Sequence, residues 1–169
     1  GRPYQWSGSV THGQAIGRRL GFPTANLTAK DASKVLPANG VYAVWVRLDK
    51  KYKEDMNRHH VPIRAEEDGG TRLVPGMLNI GTRPTMGGDG VSIEAHLIDF
   101  EGDIYGLQLT LFFMARIRSE KKFASEQDLS EQLALDKEQT IKLLGSLPKP
   151  QQTNHQQTKP TTTGPKAGT

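Results

Sequence analysis

Val41-Tyr42-Ala43-Val44-Trp45-Val46-Arg47-Leu48 puts three valines, a tyrosine and a tryptophan into eight residues. These β-branched and aromatic types suit a pleated strand. Both alternating faces are largely apolar, which predicts a central strand covered on each side. Pro37 and the Asn39-Gly40 pair mark a turn before it. Further along, Val91 to Asp99 alternates cleanly: Val91, Ile93, Ala95 and Leu97 fall on one face, and Ser92, Glu94, His96 and Ile98 on the other. Leu107 to Arg118 also alternates, with Leu107, Leu109, Leu111, Phe113, Ala115 and Ile117 on one face. Shorter strands are expected around Val10 and within Leu73 to Gly81, the latter opened by a turn at Pro75-Gly76. Leu27 to Asn39 reads as irregular, and Thr82 to Gly90, with Pro84 and three glycines, reads as a loop.

A single helix is expected near the C-terminus. Ser125-Glu126-Gln127-Asp128 is a variant capping box with Asp in the third place. Leu129, Leu133, Ile141 and Leu144 recur at spacings that share a helix side, and Gly145 is placed to end it. From Pro148 to Thr169 there is no large apolar side chain, so this stretch reads as a disordered tail. Asp49 to Arg72 is rich in charge and poor in apolar residues. It reads as an insertion, either a hairpin extension or a mobile loop. Its His59-His60 pair lacks ligand spacing and points apart on a strand. Short strands followed by one helix suggest a small antiparallel barrel with a packing helix. Periodicity alone does not choose between a barrel and a sandwich.

At 169 residues the chain suits one domain, here 1–147, with a core of useful size. It has no cysteine, which excludes a disulfide framework and thiolate chemistry. No apolar run reaches the roughly 18 residues of a membrane helix, and no signal-peptide core is present. The reading is therefore a cytoplasmic protein without a membrane partner. A net charge of +4 suits an anionic small substrate as well as nucleic acid. Aromatics are 7% of residues and sit mostly at apolar strand positions. That argues against a nucleic-acid-binding barrel, which needs aromatics along a basic face.

The chemistry concentrates in Gly13 to Asn26, Gly-Gln-Ala-Ile-Gly-Arg-Arg-Leu-Gly-Phe-Pro-Thr-Ala-Asn. Gly13, Gly17 and Gly21 permit close approach to the main chain. Arg18 and Arg19 add positive charge, and Thr24 and Asn26 add neutral oxygens of the kind Mg²⁺ accepts. Together they suggest a nucleoside triphosphate with its metal; a plain Gly-rich hairpin is the alternative. No Gly-x-x-x-x-Gly-Lys-Ser/Thr run occurs, so a P-loop is excluded. Glu94, on the polar side of its strand, is the candidate general base.

Pro23-Thr24-Ala25-Asn26 after a Gly-rich loop resembles the start of riboflavin kinases. Asn79 to Thr85, Ser92 to Phe100, Gly102 to Gly106 and Arg118 to Phe123 agree with that family in its order. The resemblance implies a six-stranded antiparallel Greek-key barrel with a C-terminal helix packed beside it. It implies an ATP:riboflavin 5′-phosphotransferase that makes FMN and ADP with Mg²⁺ or another divalent cation. It places the nucleotide phosphates near Gly13, Gly17, Arg18 and Gly21, flanked by Asn79, Thr82 and Pro84. Thr24 and Asn26 match the metal-holding residues, and Glu94 matches the catalytic glutamate. Arg118, Glu120 and Phe123 match the stretch that closes over the flavin, while His96 is expected to be structural. The family also implies a covalently linked FMN adenylyltransferase domain, the other half of an FAD synthetase. The start at Gly1 and the absence of a His-x-Gly-His step fit a kinase half. A flavin carrier without catalysis is the remaining alternative.

Overall fold

The computed structural model describes residues 2–12, 19–31, 33–48, 66–68, 71–85 and 88–150. The strands are β1 (Tyr4–Thr11), β2 (Ala25–Ala29), β3 (Gly40–Leu48), β4 (Glu66–Asp68), β5 (Thr71–Thr85), β6 (Gly88–Leu97) and β7 (Gln108–Arg118), followed by helix α1 (Glu126–Ser146). They form one sheet in the order β3-β7-β1-β2-β6-β5-β4. An added β3–β5 pairing joins the ends, so all strands but β4 close into a six-stranded antiparallel barrel. Neighbours that are distant in sequence, such as β1 with β7 and β2 with β6, give it the Greek-key connectivity.

β3 is central, as its two apolar faces predict. It pairs with β5 along one edge and β7 along the other. Val44 and Val46 face the barrel interior beside Trp6, Leu78, Ile80, Leu109 and Leu111. Ala43 and Trp45 face outward and form a second cluster with Leu73, Phe112 and Leu144 of α1. The helix therefore covers the outer wall of β3 and β7. β6 follows its predicted alternation, with Ile93, Ala95 and Leu97 turned inward and buried. Val91, near the open end, is exposed.

Four local expectations change. β7 does not keep one face along its length. Its register against β3 shifts between Ala43 and Val44 and again between Val41 and Tyr42, leaving Met114 and Ile117 as the extra residues. Each bulge reverses the facing of the residues after it. Leu109, Leu111 and Phe113 pack on the interior cluster, whereas Ile117 packs on the outer one. Second, Thr82 to Gly90 is largely strand: β5 and β6 continue as a paired hairpin out to Thr85 opposite Gly88. Third, Pro75-Gly76 lies inside β5 rather than opening it. The Pro75 carbonyl accepts from the Ile98 amide at 2.8 Å. A Cβ on Gly76 would stand 3.1 Å from the His96 carbonyl oxygen, so glycine lets β5 and β6 approach closely. Finally, Leu27 to Ala29, read as irregular, belongs to β2, which pairs with β1 and β6.

Helix α1 starts as expected. Ser125 Oγ accepts from the Asp128 amide at 3.1 Å, and acidic Glu126 and Asp128 occupy the first turn. Its buried positions are Asp136, Thr140 and Leu144, while Ile141 is exposed. A purely apolar count misplaces this face because two of its members are polar. Gly145 is helical, and the chain leaves the helix at Leu147, whose amide bonds the Leu143 carbonyl. Pro148 comes next and cannot continue the helix. Lys149 still rests on the barrel, its Nζ 5.4 Å from the Trp45 ring centre. Of the 49–72 segment, Glu66–Asp68 pairs with Thr71–Leu73 as a hairpin. The rest of it, His59-His60 included, and residues 151–169 lie outside the described residues.

Candidate active site

The barrel's outer wall and α1 enclose a cavity of about 320 Å³. Thr24, just ahead of β2, and strands β5 and β6 present its polar edge. Asn26 pairs with Glu94 across β2 and β6, and Asn79 pairs with Glu94 across β5 and β6. This register gathers residues scattered over some seventy positions, because cross-strand partners share a sheet face. Met77, Asn79, Glu94 and His96 line the cavity. Its apolar walls come from Leu20 and Phe22 before β2, Val41 on β3, Phe123, and Leu129 and Leu133 on α1. An apolar slot with a few polar anchors suits a small organic ligand.

Glu94 is held at both carboxylate oxygens. Arg83 Nη2 lies 3.2 Å from Oε1, and Thr24 Oγ1 donates to Oε2 at 3.3 Å, long for a hydroxyl hydrogen bond. Because Thr24 donates, its oxygen lone pairs stay available to a cation. One carboxylate and neutral oxygens nearby fit Mg²⁺, which takes few protein ligands and fills its shell with phosphate and water. Among the described residues, no cluster of three or more His, Asp or Glu competes for a metal.

His96 has a different role. It is buried, and its Nδ1 lies 2.8 Å from the Pro23 carbonyl. A carbonyl only accepts, so Nδ1 carries the proton. Burial pushes the imidazole below its ordinary value, partly offset by the Pro23 contact. Phe22 meets the ring edge-on at 5.4 Å. His96 thus anchors the residues that lead into Thr24.

From the last residue of β7 onward, the segment Arg118 to Phe123 closes the cavity. Arg118 is committed to Asp136 on α1, with Nε at 3.0 and 2.9 Å and Nη2 at 2.7 Å from the carboxylate oxygens. Gln132 adds a bond at 2.9 Å, and Asp136 is only 1% exposed. The Arg118 guanidinium also lies 5.7 Å from the Phe123 ring centre, with Lys121 at 5.4 Å. Glu120 Oε1 accepts from the Thr82 amide at 3.3 Å. Asn39 ties the same corner through Thr82 Oγ1 at 2.8 Å.

A second cavity, of about 380 Å³, opens at the barrel mouth. Pro23, Thr24, Phe100, Asp103, Ile104 and Tyr105 contribute to its rim. His12 stacks on Tyr105 with ring centres 4.1 Å apart. Thr24 lines both cavities and so stands where they adjoin, its hydroxyl bonded to Glu94 of the first.

Of the residues singled out from sequence, Thr24, Asn79, Glu94, Arg118, Glu120 and Phe123 line the first cavity. Asn26 stands next to Glu94 in register. Gly21 adopts φ 79° with open space around its Cβ position, so backbone conformation demands glycine there. Thr82 is exposed on the hairpin, and the Pro84 backbone pairs farther out with Asp89. Gly13, Gly17 and Arg18 lie outside the described residues. Sequence reasoning missed Arg83 and Asp136. Arg83 is legible once β5 is known to continue, since residues 77, 79, 81 and 83 alternate onto one face. Asp136 had no signal beyond its helical spacing of four residues from Gln132.

Residues 1–144 match the flavokinase family, described as riboflavin kinase. The bifunctional riboflavin kinase/FMN adenylyltransferase of Pseudomonas fluorescens is 38% identical over 137 residues, covering 80% of this chain and 37% of the relative. That of Escherichia coli K12 is 37% identical over 150 residues, covering 89% and 41%. A crystal structure described as a macrolide-efflux protein from Streptococcus pneumoniae superposes with a TM-score of 0.65 at 33% identity, covering 82% of this chain and 38% of the other. The chain thus spans about two-fifths of the curated relatives' length. A family match across the barrel and nearly all of its helix, with a carboxylate where two cavities join, identifies this chain as a member of the riboflavin kinase family.

Proposed function

We propose that the chain transfers the γ-phosphoryl group of ATP to the terminal ribityl hydroxyl of riboflavin, forming FMN and ADP. The observation that carries this reading is the meeting of Thr24 and Glu94 where the two cavities join. The apolar slot against α1 takes the isoalloxazine, and the barrel mouth takes the nucleotide. The ribityl chain then runs along Asn79 toward Glu94. There the carboxylate orients the hydroxyl and accepts its proton as the new O–P bond forms and the bond to the β-phosphate oxygen breaks. Thr24 and Asn26 would hold a divalent cation, which spreads phosphate charge. Arg118 and Phe123 wall the slot and exclude water from the reacting end.

The curated relatives are bifunctional, so we place an adenylyltransferase domain in the same polypeptide. We place the reaction in the cytoplasm, where ATP is abundant; among the described residues no helix is long and apolar enough to span a membrane. The direct test is to mix the chain with riboflavin, ATP and Mg²⁺ and monitor FMN and ADP. Equimolar appearance of both supports the reading, and flavin binding without ADP formation overturns it. Glu94→Gln should lower kcat by about 10²- to 10⁴-fold while riboflavin still binds, as fluorescence quenching would report. Near-normal turnover would remove Glu94 from the role of base.

A further inference from the structure

We propose that Arg83 is a positioning residue for this phosphoryl transfer. It fixes the Glu94 carboxylate in its reactive orientation and offsets the repulsion between that carboxylate and the incoming triphosphate. The proposal rests on Glu94 being the base.

Arg83 belongs to the part of β5 that continues past the barrel wall. Its Nη2 reaches Glu94 Oε1 at 3.2 Å, while Thr24 from the β1–β2 connection holds Oε2. The two oxygens are therefore held from different elements, which sets the plane of the carboxylate. The pair lies at the cavity edge, with side chains 42% and 27% exposed. Ion pairs this accessible contribute little to stability. The placement of a cation on this carboxylate calls for a reason other than folding.

That reason lies in the charge around the cavity. The end of β7 contributes Arg118, the segment after it Glu120 and Lys121, β6 contributes His96, and α1 contributes only apolar Leu129 and Leu133. Arg118 is engaged by Asp136, Lys121 stands over Phe123, and His96 bonds Pro23. Among the described residues, Arg83 is the cation found in contact with Glu94. A carboxylate beside a triphosphate forms a like-charge pair, and the repulsion turns the carboxylate away from the reacting end. A guanidinium remains charged across the working pH range and offsets that repulsion. It also resists rotation of the carboxylate when Thr24 turns its oxygen to a cation.

The test compares Arg83→Met, Arg83→Lys, Glu94→Gln and the Arg83→Met/Glu94→Gln double variant in FMN formation. Thermal melts serve to confirm that each one folds. Arg83→Met should lower kcat about 10- to 100-fold with KM for riboflavin and ATP within about threefold. Arg83→Lys should restore part of the rate. In the Glu94→Gln background Arg83→Met should change little further, because the group it acts through is gone. Unchanged kcat in Arg83→Met, a loss confined to KM for ATP, or a full multiplicative loss in the double variant would each overturn the role of Arg83. Near-normal turnover by Glu94→Gln alone would instead overturn the base assignment, and the positioning role with it.

Discussion

At Thr24 the hydroxyl donates its proton to Glu94, which leaves its lone pairs open for the proposed cation role. Thr24→Ala should therefore weaken nucleotide binding about tenfold or more in the presence of Mg²⁺ and much less in its absence. Calorimetric titration with a non-hydrolysable ATP analogue at both metal conditions checks this, and equal losses would mean that Thr24 only shapes the loop. His96 sets a pH dependence of a different kind. Its folded-state pKa lies below the ordinary 6.5 because burial disfavours the charged ring. As pH falls below about 6.5 the unfolded chain takes up a proton that the folded chain resists. Folding stability is thus highest above that range and declines as pH falls through the folded-state value. Urea unfolding at pH 8 and at successively lower pH should show this decline, and His96→Gln should flatten it.

Helix α1 is fastened to the barrel by a polar bond within an apolar seam. Asp136→Ala would leave the half-buried Arg118 guanidinium without its carboxylate, at a cost of about 3–5 kcal/mol. Replacing both partners with apolar residues should recover much of that loss, because an uncompensated charge is what destabilises. Chemical denaturation of the single and double variants distinguishes the two. The same lesion should raise KM for riboflavin, since Arg118 and Phe123 wall the slot. Ser125→Ala should cost about 1 kcal/mol through loss of the N-cap. β7 makes the related point for strands. Without the bulge at Met114, Ile117 would keep the inward facing of Leu109 and Leu111 and would be lost from the outer cluster that packs on α1.

For the molecule as a whole, closure of the barrel sets the geometry. The β3–β5 pairing joins the two ends of the sheet, and the interior fills with Trp6, Val44, Val46, Leu78, Leu109 and Leu111. Leu78, with no exposure, reaches this core from the strand that also carries Asn79 and Arg83. Leu78→Ala should cost about 2–5 kcal/mol, visible as an earlier unfolding midpoint. The site hangs on the outside of this rigid wall, a placement that holds donors and acceptors steady while the loops around them differ.

The amino-acid sequence alone determined the β-rich class, the central place of Val41–Leu48, the inward face of Ile93, Ala95 and Leu97, and the Ser125 cap. Each rests on neighbours a few residues apart, where period and capping chemistry act. It also made Thr24 and Glu94 candidates, through local motifs. Tertiary structure alone decided that the sheet closes, that Thr24 and Glu94 touch, and that Arg83 and Asp136 take part. Those facts depend on register between distant strands and on bulges that reverse a face. The long-range packing energy that selects a register is spread over the whole barrel and leaves no mark in any short window of residues.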